Sequence, residues 1–280
     1  MLNESHIPYS PFPIMLSKLR IDRFQLHRYW ELIEILVERN LKVRYRGSLL
    51  GIYWSLLSPL LMTGLYTAIF GTTFANYYDN SILNYLLAAF TGLITINFFS
   101  ASTIQALKSL VDNGKLLNKI KLPFSIFPLS MVAANVFQFM VGSFPLLILV
   151  TLSKVGLSLR IFAILIPFSS LILVCAGIGL LVSTLYIFFR DLPYFYELVV
   201  FVLWISSPVF YPSQIVPNQV KPFLVLNPLS PIIEGFRQIS LTSDPINLII
   251  LVQGFLSGLV VLTIGWLVFR RFRHQFIDLI

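Results

Sequence analysis

The sequence predicts an all-α integral membrane protein with six transmembrane helices. An N-terminal amphipathic interfacial helix precedes them, and short re-entrant outer helices lie between spans five and six. Three observations predict it. The 280 residues are 57% hydrophobic and only 11% charged, with a mean hydropathy of +0.83, where a soluble domain carries about 25% charged residues. The apolar residues fall in six long uncharged stretches, and a helix crosses the roughly 30 Å hydrocarbon layer with about 20 of them. Finally, Lys and Arg cluster beside alternate ends of those stretches, as the positive-inside rule demands of a multi-pass chain.

Residues 1–16 form an N-terminal lead in which Pro8, Pro11 and Pro13 oppose a regular helix. It shows no basic region ahead of an apolar core, so no cleavable signal peptide is expected. Residues 17–46 form the amphipathic segment. Leu19, Phe24, Leu26, Tyr29, Trp30, Ile33, Leu36 and Val37 recur at helical spacing among Arg and Glu, which suits a helix lying in the membrane interface or packed on the rest of the protein.

The transmembrane region is placed at residues 47–272. Its first stretch follows Lys42, Arg44 and Arg46 and runs from Gly47 to Tyr78 without a charge. Pro59 lies inside it, and Ser55, Ser58 and Thr63 are placed to satisfy the carbonyl that the proline frees. The others are Asn80–Leu107, Leu122–Ser153, Ile161–Phe189, Leu198–Val220 and Pro245–Phe269. With six crossings, sixteen Lys and Arg fall on the side of the termini. Four fall opposite: Lys154, Arg160, Lys221 and Arg237. Both ends, including the tail at 273–280, are therefore expected in the cytoplasm. The proline-broken segment Ser206–Thr242 is too apolar for a free loop, so short helical pieces re-entering the outer leaflet are expected there. Gly47–Gly51 and Gly254–Gly258 have the spacing that permits close helix contact.

Chemistry is sparse. Gly114-Lys115 lacks the upstream glycines of a phosphate-binding loop. His6, His27 and His274 are scattered, and the one cysteine, Cys175, lies in an apolar run, so no metal site is expected. The spans hold essentially no ionisable side chain, which argues against an ion relay. No catalytic residue is assigned, no cofactor is expected in this chain, and the energy source comes from a partner or there is none. Nor does the net charge of +8 point to nucleic acid, because the cations flank membrane spans. Aromatics make up 15% of the chain. Those of the first and fifth spans and their flanks, notably Tyr53, Trp54, Tyr66, Phe70, Trp204 and Tyr211, are either a wall on which sugar rings stack or the ordinary interfacial belt.

Three blocks resemble type-2 ABC transporter permeases of the polysaccharide (O-antigen, capsule, teichoic acid) export family. They are LKVRYRGSLLGIYWSLLSPLLM, FFRDLPYFYELVVFVLWISSPVFYPSQIVP and LNPLSPIIEGFRQ, within residues 28–272. The resemblance implies a homodimer in the cytoplasmic membrane, with spans one and five around the export path. It implies two copies of a separate ABC ATPase subunit, which would bind ATP and Mg and dock on short cytoplasmic loops. On this basis Asp112, Asn113, Gly114, Lys115 and Lys119 form the ATPase-coupling loop. The substrate would be a lipid-linked glycan, and a drug or small lipid is the alternative on the same plan. Lys42, Arg44 and Arg46 either meet the diphosphate of the lipid carrier or serve only to orient the first span.

Overall fold

The computed structural model describes residues 23–117, 122–156, 158–219, 221, 227–242 and 244–279; the N-terminal lead, Lys119 and Pro222 lie outside the described residues. All regular structure among them is helical. The longer helices are α1 (Arg23–Tyr45), α2 (Trp54–Phe74), α3 (Ile82–Asp112), α5 (Ile126–Val141), α6 (Ser143–Val155), α8 (Leu165–Phe188), α9 (Leu192–Ser206), α10 (Leu229–Leu241) and α11 (Leu248–Phe272). Single turns α4 (Gly114–Leu117), α7 (Arg160–Ala163) and α12 (Phe276–Leu279) punctuate them.

Among the described residues, four helical segments are long and apolar enough to cross a membrane: Gly51–Tyr77, Ile82–Asp112, Arg160–Phe188 and Leu248–Gln275. A fifth exists if α5 and α6 count as one span, since they meet at a 43° bend. The bend falls at Gly142-Ser143, the kind of small-residue pair at which helices kink. The expected fifth span differs most from the sequence reading. Its helix starts at Leu192, with Pro193 in the first turn, and stops at Ser206 ahead of Pro208. Fifteen residues rise about 22 Å, short of the layer's full thickness. Of the expected re-entrant segment, α10 is fully embedded: Leu229, Ile232, Ile233, Phe236 and Ile239 are buried, and it packs on α3, α6, α8 and α11.

The central core joins Phe90, Ile94, Phe98, Leu171, Val174, Ile233 and Phe236, so α3, α8 and α10 form the heart of the bundle. The tightest seam is between α8 and α11, where Gly177 and Gly265 bring two backbones together. A Cβ on Gly265 would lie 2.0 Å from the Gly177 carbonyl oxygen. Gly258 contributes to the same seam against Leu173 and Ser170, whereas Gly47 and Gly51 have positive φ and open space around them. The first Gly-x-x-x-Gly spacing is thus a turn and the second a packing surface.

A second core at the α1 end joins Ile33 and Leu36 to Leu110, Ile126, Phe127, Phe269 and Phe276. α1 is consequently docked on α5, with Trp30, Ile35 and Val43 left exposed. Around Pro59 the expected assistance does not form. Ser55 Oγ donates to the Ile52 carbonyl at 2.6 Å, and Thr63 Oγ1 has no partner among the described residues. The proline and Thr63 are instead buried.

Candidate functional site

Only 11% of the most apolar window of α2 is buried, against 67% for α3. α2 lies along the edge of the bundle, and Leu61, Leu65 and Ile69 project from it unburied. α9 is similar, with Leu198, Phe201, Val202 and Ile205 exposed. Between these two open helices runs a row of rings. Tyr66 stacks on Phe210 with centroids 3.6 Å apart and on Phe70 at 6.1 Å. Trp204 meets Phe210 edge-on at 5.2 Å. The row continues from Phe70 through Phe74 and Tyr85 to Tyr78 at steps of 6.0, 5.9 and 5.8 Å. Offset and edge-on pairs of this kind add about 0.5–1.5 kcal/mol each beyond area burial, so the row holds α2 against the segment that follows α9. Tyr85 reinforces it by donating its hydroxyl to the Phe210 carbonyl at 2.9 Å.

The six aromatics singled out in the sequence therefore separate into groups. Tyr66, Phe70 and Trp204 belong to one cluster, with part of each ring covered by a neighbour. Tyr211 turns back and donates its hydroxyl to the Ile205 carbonyl at 3.0 Å. Tyr53 and Trp54, 68% and 49% exposed, present open faces near the start of α2. Trp54 also stands at the rim of a cleft of about 400 Å³ between α2, α3 and α5, whose polar lining includes Ser58, Asn97, Ser100, Asn135 and Gln138. The remaining wall is apolar, with Pro59, Ile94, Phe98 and Phe139, so the cleft is mixed in character.

The three cations before α2 have different surroundings. Lys42 pairs with Glu38 one turn earlier at 2.5 Å, both groups largely in solvent. Arg46 is exposed. Arg44 instead reaches into the bundle and donates to three side-chain amide oxygens, those of Gln105, Asn135 and Gln138, the Asn135 bond measuring 3.1 Å. Burial pulls its guanidinium below the usual range, opposed by Tyr45 beside it. Arg44 thereby closes a polar ladder along α5, continued by Asn40 on Ser130 at 3.5 Å and Tyr29 with Ser125 at 3.1 Å.

At the turn after α3, Asp112 and Lys115 are exposed while Asn113 and Gly114 are buried. Asn113 caps from both directions. Its amide donates to the Ser109 carbonyl at 2.7 Å, and its oxygen accepts from Arg39 of α1 at 2.5 Å. A single helical turn, α4, begins here, and Lys119 falls beyond it outside the described residues. The Arg39–Asn113 bond thus ties the turn to α1.

Residues 31–241 match the family described as ABC-2 type transporter. The chain belongs to that family. Curated relatives agree over nearly the whole length. Two O-antigen export system permease proteins RfbA from Klebsiella pneumoniae are 26% and 27% identical, each over 92% of this chain and 98% of the relative. One of the same description from Myxococcus xanthus is 28% identical over 77% of this chain and 82% of its own. This ABC-2 chain is accordingly a multi-pass transporter permease, not an enzyme, and its family implies an ABC ATPase partner.

Sequence reasoning missed Arg237. Counted there as an outer-loop cation, it is buried in α10 of the ABC-2 bundle, and its guanidinium donates to the carbonyls of Ala88 and Val209 at 2.9–3.2 Å. A signal was present: Arg237 lies four residues after Ile233 and three before Ser240, both buried, so it shares the buried stripe.

Proposed function

We propose that this ABC-2 permease moves a lipid-linked polysaccharide across the cytoplasmic membrane, driven by a separate ABC ATPase. The observation that carries the reading is the extent of the likeness to proteins described as O-antigen export permeases, which covers 98% of two of them. Two copies would pair through the open faces of α2 and α9. In this reading α9 and the segment after it complete a sixth crossing, both termini lie in the cytoplasm, and the aromatic row faces the path.

A polymer cannot be held in one shape-matched pocket, because every residue of it passes the same wall. Many weak, interchangeable contacts suit it, and aromatic faces provide them. Tyr53 and Trp54, with open faces, are the proposed sliding contacts, and Tyr66, Phe70 and Trp204 set the width between α2 and α9. Tyr211 steadies the outer end of α9. Lys42 and Arg46 are placed to meet the carrier's diphosphate, while Arg44 anchors α1. ATP-driven movement of the partner would reach the turn at Asp112–Lys119, pass through the Arg39–Asn113 bond to α1, and from there to α5 and the cleft.

The test is export in cells that carry the chain with its ATPase and a glycan-assembly system. With Tyr53 and Trp54 both changed to Ala, surface glycan should fall at unchanged membrane abundance and ATPase association. If that variant exports glycan normally while efflux of a small amphiphile is lost, the permease carries the small molecule instead.

A further inference from the structure

At the end of the bundle remote from α1, the turn between α2 and α3 faces α10 across a cavity of about 200 Å³. It is lined by Tyr77, Tyr78, Asp79, Asn84, Gln214, Glu234, Arg237 and Gln238 among others. We propose that this cavity binds one saccharide unit of the passing chain; the proposal rests on the glycan-export reading and gives it a defined sugar site.

Four independent observations converge on it. The first is the make-up of the wall. A sugar presents hydroxyls that each donate and accept in fixed directions, and planar amide, carboxylate and guanidinium groups match such pairs. Eight of the wall's side chains are of these planar polar or aromatic kinds, with two tyrosines supplying ring surface for the apolar face of a pyranose. The second is the backbone. Asp79 and Asn80 both adopt φ of +55°, which costs energy for any side chain except glycine's and is tolerated best by Asn and Asp. The turn is further tied by Asn84, whose amide donates to the Tyr78 carbonyl and to Asp79 at 3.4 and 3.3 Å. Lys154 donates in turn to the Asn84 oxygen at 2.6 Å.

The third is the opposite wall. On α10, Glu234 and Gln238 stand one turn apart and are half-buried on a helix whose neighbouring positions are buried. Gln238 accepts from the Asn247 amide at 3.2 Å, leaving its NH₂ directed elsewhere, and Glu234 has no ion pair or hydrogen bond among the described residues. Arg237 between them is immobilised by its two backbone carbonyls, so the wall is rigid before a ligand arrives. The fourth is continuity. The aromatic row that begins at Trp204 ends on Tyr78, at the edge of this cavity. Burial raises the Tyr78 phenol, with Arg237 opposing, so the hydroxyl stays protonated and can donate.

A cation is the competing occupant, given Asp79 and Glu234. Among the described residues, however, no group of three or more His, Cys, Asp or Glu converges, and Arg237 already places a positive charge beside Glu234.

The experiment uses the full chain in lipid nanodiscs without ATPase, with D-mannose, D-galactose, L-rhamnose and N-acetyl-D-glucosamine as probes in saturation-transfer NMR. At least one should receive saturation on its ring protons. That signal should fall severalfold in Tyr77→Ala and in Glu234→Gln, both at unchanged thermal unfolding. Tyr77 is half in solvent, so its loss leaves the fold intact. No transfer to any probe, or equal transfer in both variants, overturns the site. It is also overturned if calcium alone stabilises the parent but not Glu234→Gln. Sugar contact in a chain that exports no glycan would sink the export reading and leave this site standing. Glycan export by a parent that contacts no sugar would do the reverse.

Discussion

Arg237 and Arg44 have the same chemistry and opposite sequence contexts, and both end up inside the protein. Each is satisfied by neutral oxygens rather than by a carboxylate: Arg237 by backbone carbonyls, Arg44 by side-chain amides. A charge taken from water requires such a shell, and each hydrogen bond to a charged group contributes about 1.5–3 kcal/mol. Arg237→Met removes the donors while the Ala88 and Val209 carbonyls remain, so the purified chain should lose about 1.5–3 kcal/mol of stability, read as an earlier unfolding transition in detergent. An unchanged transition would mean that water or lipid takes over the carbonyls at no cost. Arg44→Gln should likewise loosen α1, detectable as faster proteolysis of the α1 segment. Arg46→Gln should leave proteolysis untouched and lower export only if Arg46 meets the carrier's diphosphate.

Among the elements, the α8–α11 seam and the α1–α4 tie do different work. The seam is a backbone-to-backbone contact that no larger residue can share, and in lipid such close approach is a main source of helix association. Gly265→Val should push α11 off α8 and abolish accumulation of folded protein, whereas Gly64→Ala, where no atom lies within 4 Å of the added carbon, should not. Equal accumulation of both variants would show the seam to be dispensable. The tie at Arg39–Asn113 is smaller. Asn113→Ala cuts the one side-chain bridge from the α3 turn to α1 among the described residues, so a complex with the ATPase should still form and hydrolyse ATP but export poorly. Full export by this variant would place the transmission elsewhere.

Across the whole molecule, the open α2 and α9 faces leave the chain with an apolar flank that lipid or another protein surface must cover. A homodimer predicts that cysteine at Leu65, introduced beside Cys175→Ser, cross-links between copies in native membranes under mild oxidation. Cysteine at Val252, on the exposed side of α11, should not. The reverse pattern would move the interface from α2 to α11.

Much of this architecture was legible in the chain because the hydrophobic effect acts on composition directly. Twenty uncharged apolar residues in a row have one stable disposition, so the long apolar helices α2, α3, α8 and α11 and the amphipathic α1 follow from sequence, as does the family through its three blocks, whereas the docking of α1 on α5 was left open between the membrane interface and the bundle. The break between α3 and α4 at Asn113 suits residues that favour a turn by their local geometry. What sequence could not supply were facts that depend on which surfaces meet. The bend at Gly142 and the stop of α9 at Ser206 fall at residues a sequence offers in many places without consequence, and the depth of α10 is a tertiary outcome. Arg237 and Arg44 read as flanking cations because charge predicts exposure on average; only the folded chain reveals that carbonyls and amides from distant segments converge to receive them. The tyrosines of the α2–α3 turn and the polar face of α10 lie some 150 positions apart. Each is ordinary alone, and the cavity they form exists because α3 and α10 pack side by side.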